Sequence, residues 1–78
     1  MDPAVAFGQV LRTLRKEAGL SQEQLAFEAD IERNFVSLIE RGINQPTIRI
    51  IFKLATALNA SPSMMLSLVE EVMRDATQ

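Results

Sequence analysis

Apolar residues recur along this chain at intervals of three and four, and nearly every break in that rhythm falls on a residue type that starts or stops a helix. Phe7, Val10, Leu11, Leu14 and Ala18 define one face of a first helix, opened by Asp2-Pro3 and closed by Gly19. Gly8 stands inside that helix, where it costs about 1 kcal/mol relative to Ala. Ser21-Gln22-Glu23-Gln24 has the form of a capping box, with Leu20 and Leu25 placed as a hydrophobic staple. A second, short helix is therefore predicted from about Gln22 to Ala29. After a tight turn at Asp30-Ile31, a third helix runs from about Arg33 to Arg41 and stops at Gly42. On it Val36, Ile39 and Glu40 share one face, while Asn34, Ser37, Leu38 and Arg41 look the other way. Ile43-Asn44-Gln45-Pro46 is the one real loop. Thr47 caps a fourth helix with Ile48, Ile51, Leu54, Ala55 and Leu58 turned inward, and Asn59 ends it. Ser61-Pro62 repeats the cap-plus-proline signal and starts a fifth helix that reaches roughly Asp75.

Two short helices joined by a three- or four-residue turn, set among three packing helices, make a helix-turn-helix unit. The predicted fold is all-α: a compact five-helix domain spanning residues 1–78, with helices two and three as the reading unit.

Composition narrows the chemistry. A chain of 78 residues with 47% hydrophobic side chains folds but buries only a modest core, and a domain this small gains from self-association. It has no Cys and no His, so disulfides, thiolate metal sites and the commonest general base are all excluded. No glycine-rich phosphate loop and no nucleophile beside a base is present, which argues against an enzyme and leaves no cofactor or metal to expect. Glu70 and Glu71 are sequence neighbours that point in different directions, as on a solvated helix face. Met64 and Met65 read as packing or interface residues, not metal ligands. No basic segment precedes an apolar run, and no stretch is long enough to cross a bilayer. The expectation is a soluble, cytoplasmic protein with no membrane partner and no small-molecule ligand.

The net charge of −2 sits awkwardly with a nucleic-acid partner until its distribution is considered. Between Arg33 and Lys53 there are four basic residues (Arg33, Arg41, Arg49, Lys53) against one acidic residue, Glu40. The acidic side chains gather instead around Glu70, Glu71 and Asp75. Arg and Asn, as at positions 33 and 34, are the residue types that read guanine and adenine edges bidentately.

From Leu20 to Leu58 the chain resembles the lambda repressor/Cro-like (XRE-type) DNA-binding family. The matching residues are Leu20-Ser21-Gln22-Glu23-Gln24-Leu25-Ala26, Ile31-Glu32-Arg33-Asn34-Phe35-Val36-Ser37 and Ile39-Glu40-Arg41-Gly42, followed by Asn44-Gln45-Pro46-Thr47-Ile48 and Leu54-Ala55-Thr56-Ala57-Leu58-Asn59. The resemblance implies a sequence-specific regulator of transcription that binds a palindromic operator in double-stranded DNA, with the third helix in the major groove. Arg33, Asn34 and Ser37 would face bases, and Phe35 a thymine methyl or sugar. Ser21 and Gln22 would hold a phosphate at the amino end of helix two, while Arg41, Asn44 and Gln45 would meet the backbone on the far side. The family also implies a partly buried ion pair between Arg15 and Glu40. Compact stand-alone regulators, including the controller proteins of restriction–modification systems, are similar. An antitoxin that binds both DNA and a partner protein is the alternative reading.

Three positions depart from the family pattern. Glu32 stands where Ser, Thr or Asp usually caps the recognition helix, so the cap is expected to fall to Asp30. Asp30 itself replaces a usual Gly, and Ile43 replaces a common basic residue.

Helix five carries more apolar side chains than one stripe needs. Leu66, Val69 and Met73 are expected to face the domain, leaving Met65, Leu68 and Val72 on a second stripe. Together with Ile50 and Phe52 of helix four, that stripe is the expected homodimer interface, to which helix five (about 62–75) contributes.

Overall fold

The computed structural model of the chain describes residues 1–77 and contains five helices: α1 (Pro3–Glu17), α2 (Gln22–Ala29), α3 (Arg33–Glu40), α4 (Ile48–Ala57) and α5 (Pro62–Ala76). Four of the five helices carry the side-chain cap that their sequence predicts. The side chains of Asp2, Ser21, Thr47 and Ser61 accept from the backbone N–H of Ala4, Gln24, Ile50 and Met64. At the carboxyl ends, Gly19, Asp30, Gly42 and Asn59 all take positive φ, the left-handed geometry that terminates a helix.

α1 packs on α3 and α5, α2 on α3 and α4, and α4 on α5. Leu11, Leu25, Val36, Ile39, Leu54 and Met65 are the largest fully buried side chains, so all five helices feed one core. Each such side chain contributes about 1.5–3 kcal/mol on burial. α3 gives Val36 and Ile39 to this core and keeps its other face outward.

The α5 stripe differs from the sequence expectation. Met65 is fully buried within the protomer, and Leu68, Val72 and Met73 pack beside it with Val69, whereas Leu66 is 46% exposed. Residues 65, 68, 69, 72 and 73 follow i, i+3, i+4, i+7 and i+8, which is one stripe of ordinary width and not two. Met65 therefore does not belong to an interface. Ile50 is likewise half-buried against the core, while Ile48 is 74% exposed instead of inward. Ile48 lies roughly a quarter-turn from the centre of the α4 stripe and in its first turn, beyond the reach of neighbouring helices. Phe52 is exposed as expected.

Gly8 has a purpose that periodicity does not reveal. A Cβ there would run into the carbonyl oxygen of Ile39 and lie 2.8 Å from that of Glu40. The absent side chain lets α1 lie directly against the end of α3. Among the described residues no helix is long and apolar enough to cross a membrane.

Candidate nucleic-acid interface

The reading unit is assembled by bonds that sequence-local chemistry supplies. At the start of α2, Ser21 Oγ accepts from Gln24 N at 3.0 Å and Gln24 Oε1 accepts from Ser21 N at 2.8 Å. This reciprocal box leaves the N–H groups of Gln22 and Glu23 without a partner among the described residues, at the positive end of the helix dipole. α2 ends on Asp30, whose φ of 56° turns the chain sharply into α3.

Glu32 is the N-cap residue of α3 and makes no side-chain cap bond. The expected transfer of that role to Asp30 does not occur, because Asp30 is occupied as the left-handed terminator of α2. The first N–H groups of α3, at Arg33 and Asn34, consequently have no partner among the described residues.

Arg33 and Asn34 are exposed on the first turn of α3, and Ser37, one turn on, is half-buried beside them. Phe35 is half-buried and packs against the core edge. Arg41 is exposed just past the helix, with Nε donating to the Ser37 carbonyl at 3.4 Å. The loop after it folds back, since Ile43 N and Asn44 N both donate to the Leu38 carbonyl, at 3.0 and 3.2 Å. Asn44 is half-buried there and Gln45 exposed. Arg33, Asn34, Ser37 and Arg41 thus occupy α3 and its end, while Ser21 and Gln22 open α2, where Gln22 reaches Glu40 at the carboxyl end of α3.

One ion pair locks the unit to the rest of the domain. Arg15 Nε donates to Glu40 Oε2 at 2.6 Å and Nη2 to Oε1 at 3.0 Å, while Nη1 donates to the Leu20 carbonyl at 2.9 Å. The side chains are only 10% and 3% exposed. The Glu40 hydrogen bond raises the Arg15 pKa above its ordinary value, burial opposes that, and the Glu40 charge adds to the rise. Arg15 therefore keeps its charge across the ordinary pH range. Glu40 is the one acidic residue between Arg33 and Lys53, so its pairing with Arg15 removes the negative charge from that stretch.

Two details were absent from the sequence reading. Gln22 Nε2 donates to Glu40 Oε1 at 3.1 Å, so the Gln22 side chain is held in place and not free at the helix end. Arg49 and Lys53 line a hollow with Glu28, Asp30 and Phe52, and Lys53 Nζ donates to the Asp30 carbonyl at 3.4 Å. These two basic residues belong to the α2–α4 seam, and the positive charge of the α3 face rests on Arg33 and Arg41. A glycine inside a helix was the available signal for the close approach at Gly8, but no local signal marks the Gln22 bond.

A family model described as helix-turn-helix matches residues 11–64. The control protein C.BamHI of Bacillus amyloliquefaciens is 41% identical over 61 residues, covering 77% of this chain and 75% of that protein. The crystal structure of the restriction-modification controller protein C.AhdI from Aeromonas hydrophila matches with a TM-score of 0.78 at 47% identity, over 80% of this chain and 94% of that one. The wild-type controller protein C.Esp1396I matches with a TM-score of 0.83 at 26% identity, over 94% and 97% of the two chains. That protein is also known as a tetramer in complex with its natural 35 base-pair operator. The chain belongs to the lambda repressor/Cro-like (XRE-type) helix-turn-helix family, and within it is similar to the controller proteins of restriction–modification systems.

Proposed function

We propose that this chain is a sequence-specific double-stranded DNA-binding regulator of transcription, of the controller type, that acts as a dimer on a palindromic operator. The observation that carries this reading is the division of α3. Its inner face is anchored by fully buried Val36 and Ile39, and its outer face presents Arg33, Asn34 and Ser37. A rigid helix with base-reading side chains on its free face is what major-groove recognition requires. In this reading Ser21 and Gln22 hold a phosphate where two unpartnered N–H groups already favour an anion. Arg41, Asn44 and Gln45 meet the backbone at the other side.

In this reading the dimer surface is the exposed apolar region around Leu66 and Ile48. Leu66 borders a hollow lined by Phe7, Pro46 and Ile51, and Ile48 lies one turn before Ile51 on α4. Exposed apolar side chains around a hollow on so small a domain fit a two-fold contact with a second copy. Leu68 and Val72 are half-buried against the core, and Leu68 borders a separate hollow with Val10, Thr13 and Leu14 of α1, so this contact does not include them. Ile48→Glu with Leu66→Glu should give a folded monomer in sedimentation, with weakened operator binding. Retention of dimer mass would place the interface elsewhere.

Selection of bound fragments from random duplexes, followed by sequencing, tests the function itself. A two-fold symmetric consensus with half-sites about one helical turn apart is expected. Recovery of no enriched sequence would contradict the regulator reading.

A further inference from the structure

We propose that Glu40 is a positioning residue for phosphate binding: its carboxylate fixes the Gln22 amide so that one N–H faces the DNA backbone. The inference rests on the DNA-binding reading above and adds to it a group that touches no DNA.

Each polar atom in the cluster has a determinate role. Glu40 Oε2 accepts from Arg15 Nε, and Oε1 accepts from both Arg15 Nη2 and Gln22 Nε2. Arg15 is in turn fastened to the Leu20 carbonyl, just before α2 begins. No buried side-chain nitrogen or oxygen among the described residues lacks a partner. A free glutamine amide can flip its oxygen and nitrogen with little preference, but an ionised carboxylate only accepts. Glu40 therefore selects the orientation with Nε2 inward. The second N–H of that nitrogen then projects away from Glu40, at the helix end where the backbone N–H groups of Gln22 and Glu23 are unpartnered. The start of α2 thereby has three available donors, two from the backbone and one from the side chain. Without Glu40, the Gln22 oxygen could turn toward the phosphate and repel it.

Glu40 is also the last residue of α3, and Arg33 the first, so the two lie roughly 10 Å apart along the helix. The carboxylate that orients the phosphate donor is thus rigidly attached to the helix that carries Arg33 and Asn34. Arg15 neutralises the carboxylate and fixes its plane, which lets a negative side chain stand beside a phosphate site. The ion pair expected from the family acquires a second role, coupling α2 to α3 in the bound register.

The test measures equilibrium binding to operator duplexes in which each phosphate of one half-site is replaced in turn by an uncharged methylphosphonate. Wild-type protein should lose roughly tenfold in affinity at the phosphate held by α2, the loss of a hydrogen bond to a charged group. Gln22→Ala should reduce that penalty several-fold while leaving the Arg41 phosphate fully sensitive. Glu40→Gln should reduce the same penalty and no other, and adding Gln22→Ala to it should change little more. Arg15→Met with Glu40→Met replaces the pair by apolar side chains of similar size, preserves packing, and should reproduce the Glu40→Gln pattern. Equal weakening at every phosphate, or an unchanged penalty at the α2 phosphate, would overturn the proposal and leave Glu40 purely structural. Should neither Glu40 variant fold, the side-chain amide order parameter of Gln22 in free wild-type protein decides the matter. A rigid amide supports the proposal, and a freely rotating one overturns it. A wild-type protein that prefers no duplex would instead defeat the DNA-binding reading itself.

Discussion

Arg15 and Arg33 carry the same guanidinium in opposite circumstances. Arg15 has Nε, Nη1 and Nη2 all engaged, in a pocket that leaves its side chain 10% exposed. Arg33 is exposed on the first turn of α3 with no hydrogen-bond partner among the described residues. A fully engaged arginine holds helices in register and has little left to offer a ligand. An unengaged one contributes little to stability, and its planar fork remains available for a base edge or a phosphate. Stability and recognition are therefore separable in this domain, arginine by arginine.

The largest effect should come from breaking the engaged pair. Arg15→Ala or Glu40→Ala each strands a buried charge and should destabilise by about 3–5 kcal/mol. In a domain of this size that lowers the melting temperature by at least roughly 12 °C, read by circular dichroism or calorimetry. Unchanged melting in both variants would mean that the pair is not a structural lock. A smaller loss should follow from Gly8→Ala. Alanine is the better helix former by about 1 kcal/mol. Its methyl group, however, would meet backbone carbonyls at Ile39 and Glu40, which cannot rotate aside as a side chain could. A net destabilisation of roughly 1–3 kcal/mol is expected. A stabilised variant would show that α1 and α3 separate easily, and with them Arg15 and Glu40.

Much of this architecture is readable from local chemistry. Caps such as Ser21 and Thr47 and terminators such as Gly19 and Asn59 act within a few residues, so their effects do not depend on the tertiary fold. The exposed reading face follows from helical periodicity around Val36 and Ile39. The features that sequence patterns do not specify depend on contacts between helices. Met65 and Leu66 are adjacent apolar residues, and only the packing of α5 on α1 and α4 decides which of them is buried. Ile48 looks inward by spacing but lies past the end of the core. The Gln22–Glu40 bond spans 18 residues and joins two helices whose relative placement no local pattern specifies. By sequence Asp30 can serve either helix, and its positive φ commits it to α2 and leaves α3 without a side-chain cap.

The exposed arginines Arg33 and Arg41 give the smallest stability effects and the most direct test. Arg33→Ala and Arg41→Ala should each leave stability within about 0.5 kcal/mol of wild type, as exposed surface substitutions do. Their effects belong to binding, measured as a salt titration on the selected operator and on a scrambled duplex. Arg33→Ala should cost about 1–3 kcal/mol on the operator and far less on the scrambled duplex, with discrimination relaxed at one base position per half-site. Arg41→Ala should weaken both duplexes alike and make the salt slope shallower by roughly one unit per half-site contact. Arg33→Ala should narrow the gap between operator and scrambled DNA; equal weakening of the two by that substitution would reduce Arg33 to a phosphate anchor.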